Sequence, residues 1–310
     1  MFFFPYKVDL ALNRFPIITV AICLLCIGIF LGQLKSDRRV YEQAGDFCEE
    51  IEEATFLLSV EKITGDMLPE YCALILSSLH QHRGRAEYIK YIARNVEPFS
   101  GMSKEESQGM IVTAVMQQYE GFRKKTDDSF TVNLMHYPHS MNPVKMITSA
   151  FAHGGWEHLL GNLIFFFAFA ASVEIVTGVK KFLMLVIGLS LGVGIFYSIS
   201  MAGGANIPTL GLSGVISGMM GMFAFLMPTL KIRCFLFFFV YIRFFTVSAW
   251  ILVAAYVGKD IFYMLSSPGY SEINFVAHVS GAVLGFLSGL VFFGPERARV
   301  KAEIAHIKDV

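Results

Sequence analysis

Six runs of mostly apolar residues, at 16–34, 146–173, 182–201, 213–230, 246–265 and 275–293, dominate this chain of 310 residues. Each is close to the roughly 20 residues that carry a helix across about 30 Å of hydrocarbon. A backbone in lipid must satisfy its own polar groups, so consecutive runs of this kind fold as packed helices. Composition agrees: 55% of residues are hydrophobic, 16% are charged and the mean hydropathy is +0.55, which excludes an ordinary soluble globular enzyme. A net charge of zero gives no field that would recruit nucleic acid. The expected fold class is all-α, a polytopic membrane protein with a bundle of six transmembrane helices in a lipid bilayer. Lys7 and Arg14 precede the first run as they would in a signal peptide, but its length and the lack of a small-residue cleavage site favour a retained anchor.

The zero net charge conceals a segregation. Residues 34–144 hold 17 acidic and 12 basic side chains, so the rest of the chain is correspondingly positive. Among the short loops, Lys180 and Lys181, then Lys231 and Arg233, then Arg297, Arg299, Lys301 and Lys308 mark one side. The loops 203–211 and 266–274 contain no Lys or Arg. The positive-inside rule makes the first side cytoplasmic and places both termini there. Lys35, Arg38 and Arg39 oppose it locally, although the rule weakens for loops beyond about 60 residues. The chain then divides into 1–34, a cytoplasmic N-terminus and first span; 35–142, a large helical extracytoplasmic insertion; 143–295, a core of spans two to six; and 296–310, a cytoplasmic tail. A bacterial inner membrane is the expected location.

Within the insertion, Ser103-Lys-Glu-Glu106 reads as a capping box opening a helix to about Arg123, with Val112, Val115, Met116 and Tyr119 on one face. Cys48 and Cys72 would either bridge in an oxidising compartment or remain two buried thiols. Cys23, Cys26 and Cys234 read as structural thiols. The apolar stretch 231–245 carries Lys231, Arg233 and Arg243; a charge at the bilayer centre costs at least ~2.5–3.5 kcal/mol, which places this stretch at the interface. No metal-ligand spacing occurs in the insertion, His136-Tyr-Pro-His139 reads as a loop, and neither metal nor cofactor is expected.

Polar groups inside apolar spans are costly and therefore point to function. Three clusters qualify. In the second run, His158 and Asn162 are four residues apart and share a helix face, while His153 points elsewhere. Two residues that pair with neighbouring helices would give the same pattern. In Gly211-Leu-Ser213-Gly214, the serine enters a helix N-terminus, where unpaired N–H groups and the macrodipole favour an anion; an ordinary N-cap serine after a glycine turn is the plain alternative. In the sixth run, His278 shares a face with Gly281, Gly285 and Gly289, and Gly214 and Gly218 repeat the four-residue period in the fourth. Small-xxx-small faces allow close helix approach, which would bring Ser213 and His278 together.

HxxxxHxxxN (His153, His158, Asn162), GLSG (Gly211–Gly214) and AHxxGxxxG (Ala277–Gly285), in this order on spans two, four and six, resemble the rhomboid family of intramembrane serine proteases. The resemblance extends to Val173, Glu174 and Gly178, where the family has a similar VExxxG turn. It implies a six-helix rhomboid-like bundle with a catalytic dyad, Ser213 as nucleophile and His278 as general base. It further implies an oxyanion hole of His158, Asn162 and the Ser213 N–H, with His153, Gly211, Gly214, Gly281 and Gly285 in support. Substrates would be membrane proteins cleaved in or near a transmembrane helix. The loop 266–274 would act as a lid, and span five with Trp250, Phe244 and Phe245 as a lateral gate. Asp260, the acid inside span five, reads as a local ion pair with Lys259.

Three departures from the family pattern stand out. Val144-Lys145 replace a Trp-Arg pair, Ser217 replaces an aromatic one turn after the nucleophile, and the loop after span one is far longer. The competing functions are a catalytically silent rhomboid-like protein that routes membrane clients, and a proton-relaying transporter. Retention of both Ser213 and His278 disfavours the first. The lack of a central acid and of inverted repeats disfavours the second.

Overall fold

In the computed structural model of the chain, residues 2–8, 15–204, 206–238, 241–266 and 273–308 are described. The elements run in order β1 (Phe2–Val8), α1 (Ile17–Glu49), α2 (Ala54–Thr64), α3 (Pro69–Gln81), α4 (Ala86–Ile92), α5 (Lys104–Arg123), α6 (Phe130–Leu134) and α7 (Pro143–Phe151). They continue with α8 (Trp156–Thr177), α9 (Val179–Ser200), α10 (Ser213–Leu226), β2 (Lys231–Phe238), β3 (Tyr241–Ser248), α11 (Ala249–Ser266), α12 (Phe275–Phe292) and α13 (Gly294–Lys308). The chain forms two compact units, one of Met1–Phe30 with Met135–Val310 and one of Leu31–Leu134.

The helices α1, whose residues from Leu31 on belong to the second unit, and α8, α9, α11 and α12 of the first are each long and apolar enough to cross a membrane, and α10 is a shorter apolar helix. The protein is thus a mostly helical, polytopic membrane protein. At 14 residues α10 spans only about 21 Å, less than the hydrocarbon thickness. It is buried along nearly its whole length, as a helix apolar on every side must be. The second apolar run is not one helix from residue 146. It breaks after Phe151, and α8 begins only at Trp156, past Gly154 and Gly155. The Asn142 side chain caps the separate α7, accepting from the Val144 and Lys145 amides at 3.0 and 3.3 Å.

Glu174, near the C-terminus of α8, anchors α1. Its carboxylate accepts from the Ile18 amide at 2.9 Å and from the Thr19 amide and hydroxyl at 2.7 Å each. These amides are among the orphan donors of a helix N-terminus, so one carboxylate satisfies groups that lipid could not. At this end of the bundle Lys181 pairs with Glu296 and the Arg299 guanidinium donates to the Val176 carbonyl, joining three of the helices that carry the positive loops.

The stretch 231–245 is neither helical nor isolated. It supplies β2 and most of β3, which form an antiparallel sheet with β1 in the order β1-β2-β3. The strand period of two explains how the charges are tolerated: Lys231 and Arg233 are exposed, while Ile232 and Cys234 are buried. Pro5 lies in β1, an edge strand, where its missing donor costs least.

The second unit packs α2 to α5 around Phe56, Leu76, Leu79, Ile89, Val115, Tyr119 and Phe122. The capping box at Ser103 is formed, the Ser103 hydroxyl accepting from the Glu106 amide at 3.2 Å and the Glu106 carboxylate from the Ser103 amide at 2.8 Å. The buried face of α5 centres on Ile111, Val115, Tyr119 and Phe122, with Val112 and Met116 at its margin. Cys48 and Cys72 are joined as a disulfide.

Candidate functional site

Ser213 is the first residue of α10, and the geometry around it follows from the turn before it. Gly211 has φ +115°, in the left-handed region that favours glycine, and its amide donates to the Ser149 carbonyl at 2.8 Å. A second demand excludes a side chain there. A Cβ on Gly211 would lie 2.7 Å from His158 Nε2 and 3.5 Å from Asn162 Nδ2. The two α8 side chains that share a face therefore converge on the turn leading into Ser213, as their four-residue spacing requires.

The polarity of that convergence is definite. The Gly154 amide donates to His158 Nδ1 at 3.4 Å, a long bond that selects the neutral tautomer with its proton on Nε2, the atom facing Gly211. Asn162 Nδ2 is buried and has no hydrogen-bond partner among the described residues. A buried amide donor without an acceptor costs roughly 1–3 kcal/mol, so its position calls for an explanation. His153, itself buried, sits edge-on to His158 with ring centroids 5.2 Å apart and backs the imidazole.

His278 lies in the first turn of α12. The Asn274 side chain caps this helix, accepting from the Ala277 amide at 2.9 Å, while its Nδ2 donates to the Thr209 hydroxyl at 3.0 Å. One side chain thereby ties the start of α12 to the loop entering α10. The two helices pack backbone to backbone. A Cβ on Gly281 would lie 2.1 Å from the Gly214 carbonyl oxygen, and one on Gly285 would lie 1.9 Å from that of Gly218. The small-xxx-small faces thus meet as their spacing implies, and Ser213 and His278 stand at the same junction, beside the contact of Gly214 with Ala277.

Two neighbours of His278 were not legible in the motifs. Phe275, one turn earlier on α12, presents its ring perpendicular to the imidazole at 6.4 Å. Asp260 was expected to be a local partner of Lys259. The two do pair at 3.8 Å, but Asp260 Oδ2 makes a shorter contact, 3.0 Å, with His278 Nδ1. Adjacent residues on a helix point apart, which is why the carboxylate turns toward α12 and not fully toward its neighbour.

A small cavity opens beside Ser213, with polar lining from His136, Ser149, Ser190 and Thr209 as well as Gly211. His136, read as loop from the sequence, forms an isolated antiparallel β-bridge with Thr209, and its ring is held by Ser198 Oγ at 3.1 Å and the Gly194 carbonyl at 3.3 Å. Of the residues expected at a lateral gate, Phe244 in β3 and Trp250 in the first turn of α11 are exposed, while Phe245 is partly buried against the core. Most of the expected lid, 267–272, lies outside the described residues. Among the described residues no three His, Cys, Asp or Glu side chains gather as metal ligands would.

The Rhomboid domain profile matches residues 141–295. The mitochondrial Rhomboid protein 1 of Saccharomyces cerevisiae is 26% identical over 162 residues, covering 50% of this chain and 44% of that protein. The mitochondrial RHOMBOID-like protein 12 of Arabidopsis thaliana is 30% identical over 159 residues, covering 46% of this chain and 44% of that protein. The chain thus spans less than half the length of either relative. Both relatives come from eukaryotes and are named as mitochondrial, so they lend no support to a bacterial inner membrane, while multi-pass membrane insertion stands. The matched segment contains every residue of the three polar clusters and the helices that hold them: this chain belongs to the rhomboid family.

Proposed function

We propose that this protein is an intramembrane serine endopeptidase that hydrolyses peptide bonds in or near transmembrane helices of other membrane proteins. The observation that carries the reading is the pair of donors, His158 Nε2 and the unpartnered Asn162 Nδ2, converging on the turn that delivers Ser213. Asn162 Nδ2 has no acceptor among the described residues, as a donor kept for a substrate oxygen would have none in the resting protein.

The Ser213 hydroxyl attacks the scissile carbonyl as His278 Nε2 takes its proton. The carbonyl oxygen becomes an oxyanion, held by His158, Asn162 and the Ser213 amide, which as a first-turn N–H has no acceptor within its own helix. The C–N bond then breaks, and His278 gives its proton to the departing amine. A water from the cavity beside Ser213 attacks the acyl-serine, losing a proton to His278; the ester C–O bond breaks as His278 returns that proton to Ser213 Oγ, and the second product leaves with a new carboxylate. A substrate helix must unwind locally to expose its carbonyl. Entry beside α11 fits a membrane helix that is largely exposed along its length.

Ser213→Ala and His278→Ala, inserted normally in a bilayer, are expected to lose cleavage of a membrane-helix reporter, and a fluorophosphonate is expected to label wild type at Ser213. Wild-type cleavage by Ser213→Ala would overturn the mechanism and favour a non-catalytic binding role.

A further inference from the structure

Asp260 is 7% exposed on a helix that faces lipid elsewhere. A carboxylate at such a place is costly and is retained where something depends on it. Lys259, at 3.8 Å and with its side chain 54% exposed, is a weak compensation. The stronger partner is His278, whose side chain is 18% exposed and whose Nδ1 lies 3.0 Å from Oδ2. Among the described residues, the other titratable groups that face this pair are Tyr256, whose ring lies under the Lys259 ammonium at 5.4 Å, and His158 from α8.

We infer that Asp260 is a positioning residue for His278, so that the hydrolytic site works as Ser213-His278-Asp260 and not as a dyad; this rests on the endopeptidase reading above. An ionised carboxylate can only accept, so the proton between the two groups belongs to Nδ1. In the neutral ring Nε2 is then the bare nitrogen, the atom that must take the Ser213 proton. When Nε2 is protonated, the carboxylate faces the resulting imidazolium and stabilises it without itself taking the proton. Asp260 and Phe275 together fix the ring orientation, one by hydrogen bond and one by edge contact.

Asp260→Asn keeps the shape and reverses the logic. Lys259 sits on the Oδ1 side and attracts the amide oxygen, which turns the NH2 group toward Nδ1 and forces the ring proton onto Nε2. The expected result, in the full-length protein in bilayers with a membrane-helix reporter, is a fall in kcat of about 10²–10⁴-fold with KM unchanged. Thermal stability stays at the wild-type value, and Asp260→Glu recovers part of the rate.

The second measurement is independent of turnover. In Ser213→Ala protein carrying ¹⁵N-histidine, the His278 resonances, assigned by their loss in His278→Ala, are expected to show a protonated Nδ1 and a bare Nε2. Adding Asp260→Asn is expected to exchange the two. A bare Nδ1 in the presence of Asp260 overturns the proposal, as does a kcat within about threefold of wild type for Asp260→Asn. So does a loss of kcat that tracks a loss of thermal stability while the nitrogen pattern is unchanged, which marks a purely structural contact. If Ser213→Ala cleaves normally, the endopeptidase reading fails instead, and the nitrogen pattern still reports on the Asp260–His278 pair.

Discussion

Gly281→Ala tests the link between helix packing and chemistry directly. The added Cβ would sit 2.1 Å from the Gly214 carbonyl oxygen and 3.1 Å from its carbon. An ordinary contact begins near 3.4 Å, so α10 and α12 must part by about 1.3 Å. The obstacle is backbone, which cannot rotate aside as a side chain does. Gly214 follows the nucleophile and Gly281 lies three residues after His278, so the parting acts on the gap between nucleophile and base. Overpacking of this kind costs about 1–3 kcal/mol of stability, and a misplacement near 1 Å costs about 10²-fold in rate, or roughly 2.7 kcal/mol of barrier. The assay is the second-order rate of fluorophosphonate labelling at Ser213, read beside kcat/KM for a reporter and the thermal midpoint. Gly188→Ala on α9 is the control, since its Cβ meets nothing within 4 Å; it is expected to label at the wild-type rate. Gly285→Ala meets Gly218 at 1.9 Å but lies a further turn from His278, so it is expected to lose at least as much stability and less labelling. Wild-type labelling and a wild-type midpoint for Gly281→Ala would refute the premise that this backbone contact sets the site.

Two further outcomes follow from other parts of the molecule. Asn162→Ala removes the unpartnered donor facing Gly211 and is expected to lower kcat about 10²–10³-fold with little change in KM, measured on the same reporter; a change confined to KM would remove Asn162 from the oxyanion site. In the second unit, burial against Phe122 and Tyr119 holds the His80 imidazole below its ordinary pKa, with Nε2 3.2 Å from the Asp127 carbonyl. As pH falls below about 6.5 the unfolded chain takes up a proton that the folded ring resists, so this unit is expected to lose stability toward acid. Hydrogen exchange in α3 and α5, compared at neutral and mildly acidic pH, is expected to show that loss in wild type and less of it in His80→Leu; equal slopes would count against His80 as the cause.

What the sequence made legible, and what it hid, follows from the range of each interaction. Apolar run length is a local property, and it located the starts and ends of most membrane helices to within a few residues; it missed the break between α7 and α8 that Gly154 and Gly155 create, and the continuation of α1 as one helix to Glu49, well past the apolar run that ends at Leu34. Helical spacing is local too, so the His158 and Asn162 face and the glycine faces of α10 and α12 could be read before any packing was known. The sheet is hidden in the sequence because the charges of 231–245 point to an interface while its pairing with β1 is long-range. Its Val, Ile, Phe and Tyr content is the strand signal, and the alternation that turns Lys231 and Arg233 outward resolves the same cost that suggested an interfacial position. Asp260 escaped for a different reason. It lies 18 residues from His278 on another helix, and no spacing rule connects positions across two spans; its adjacency to Lys259 offered a local partner that sufficed on paper. A carboxylate buried in a membrane helix is better read by asking what its cost sustains. Here the answer is a ring nitrogen on the neighbouring helix, so the residue that the sequence explained most easily is the one whose role depends most on the fold.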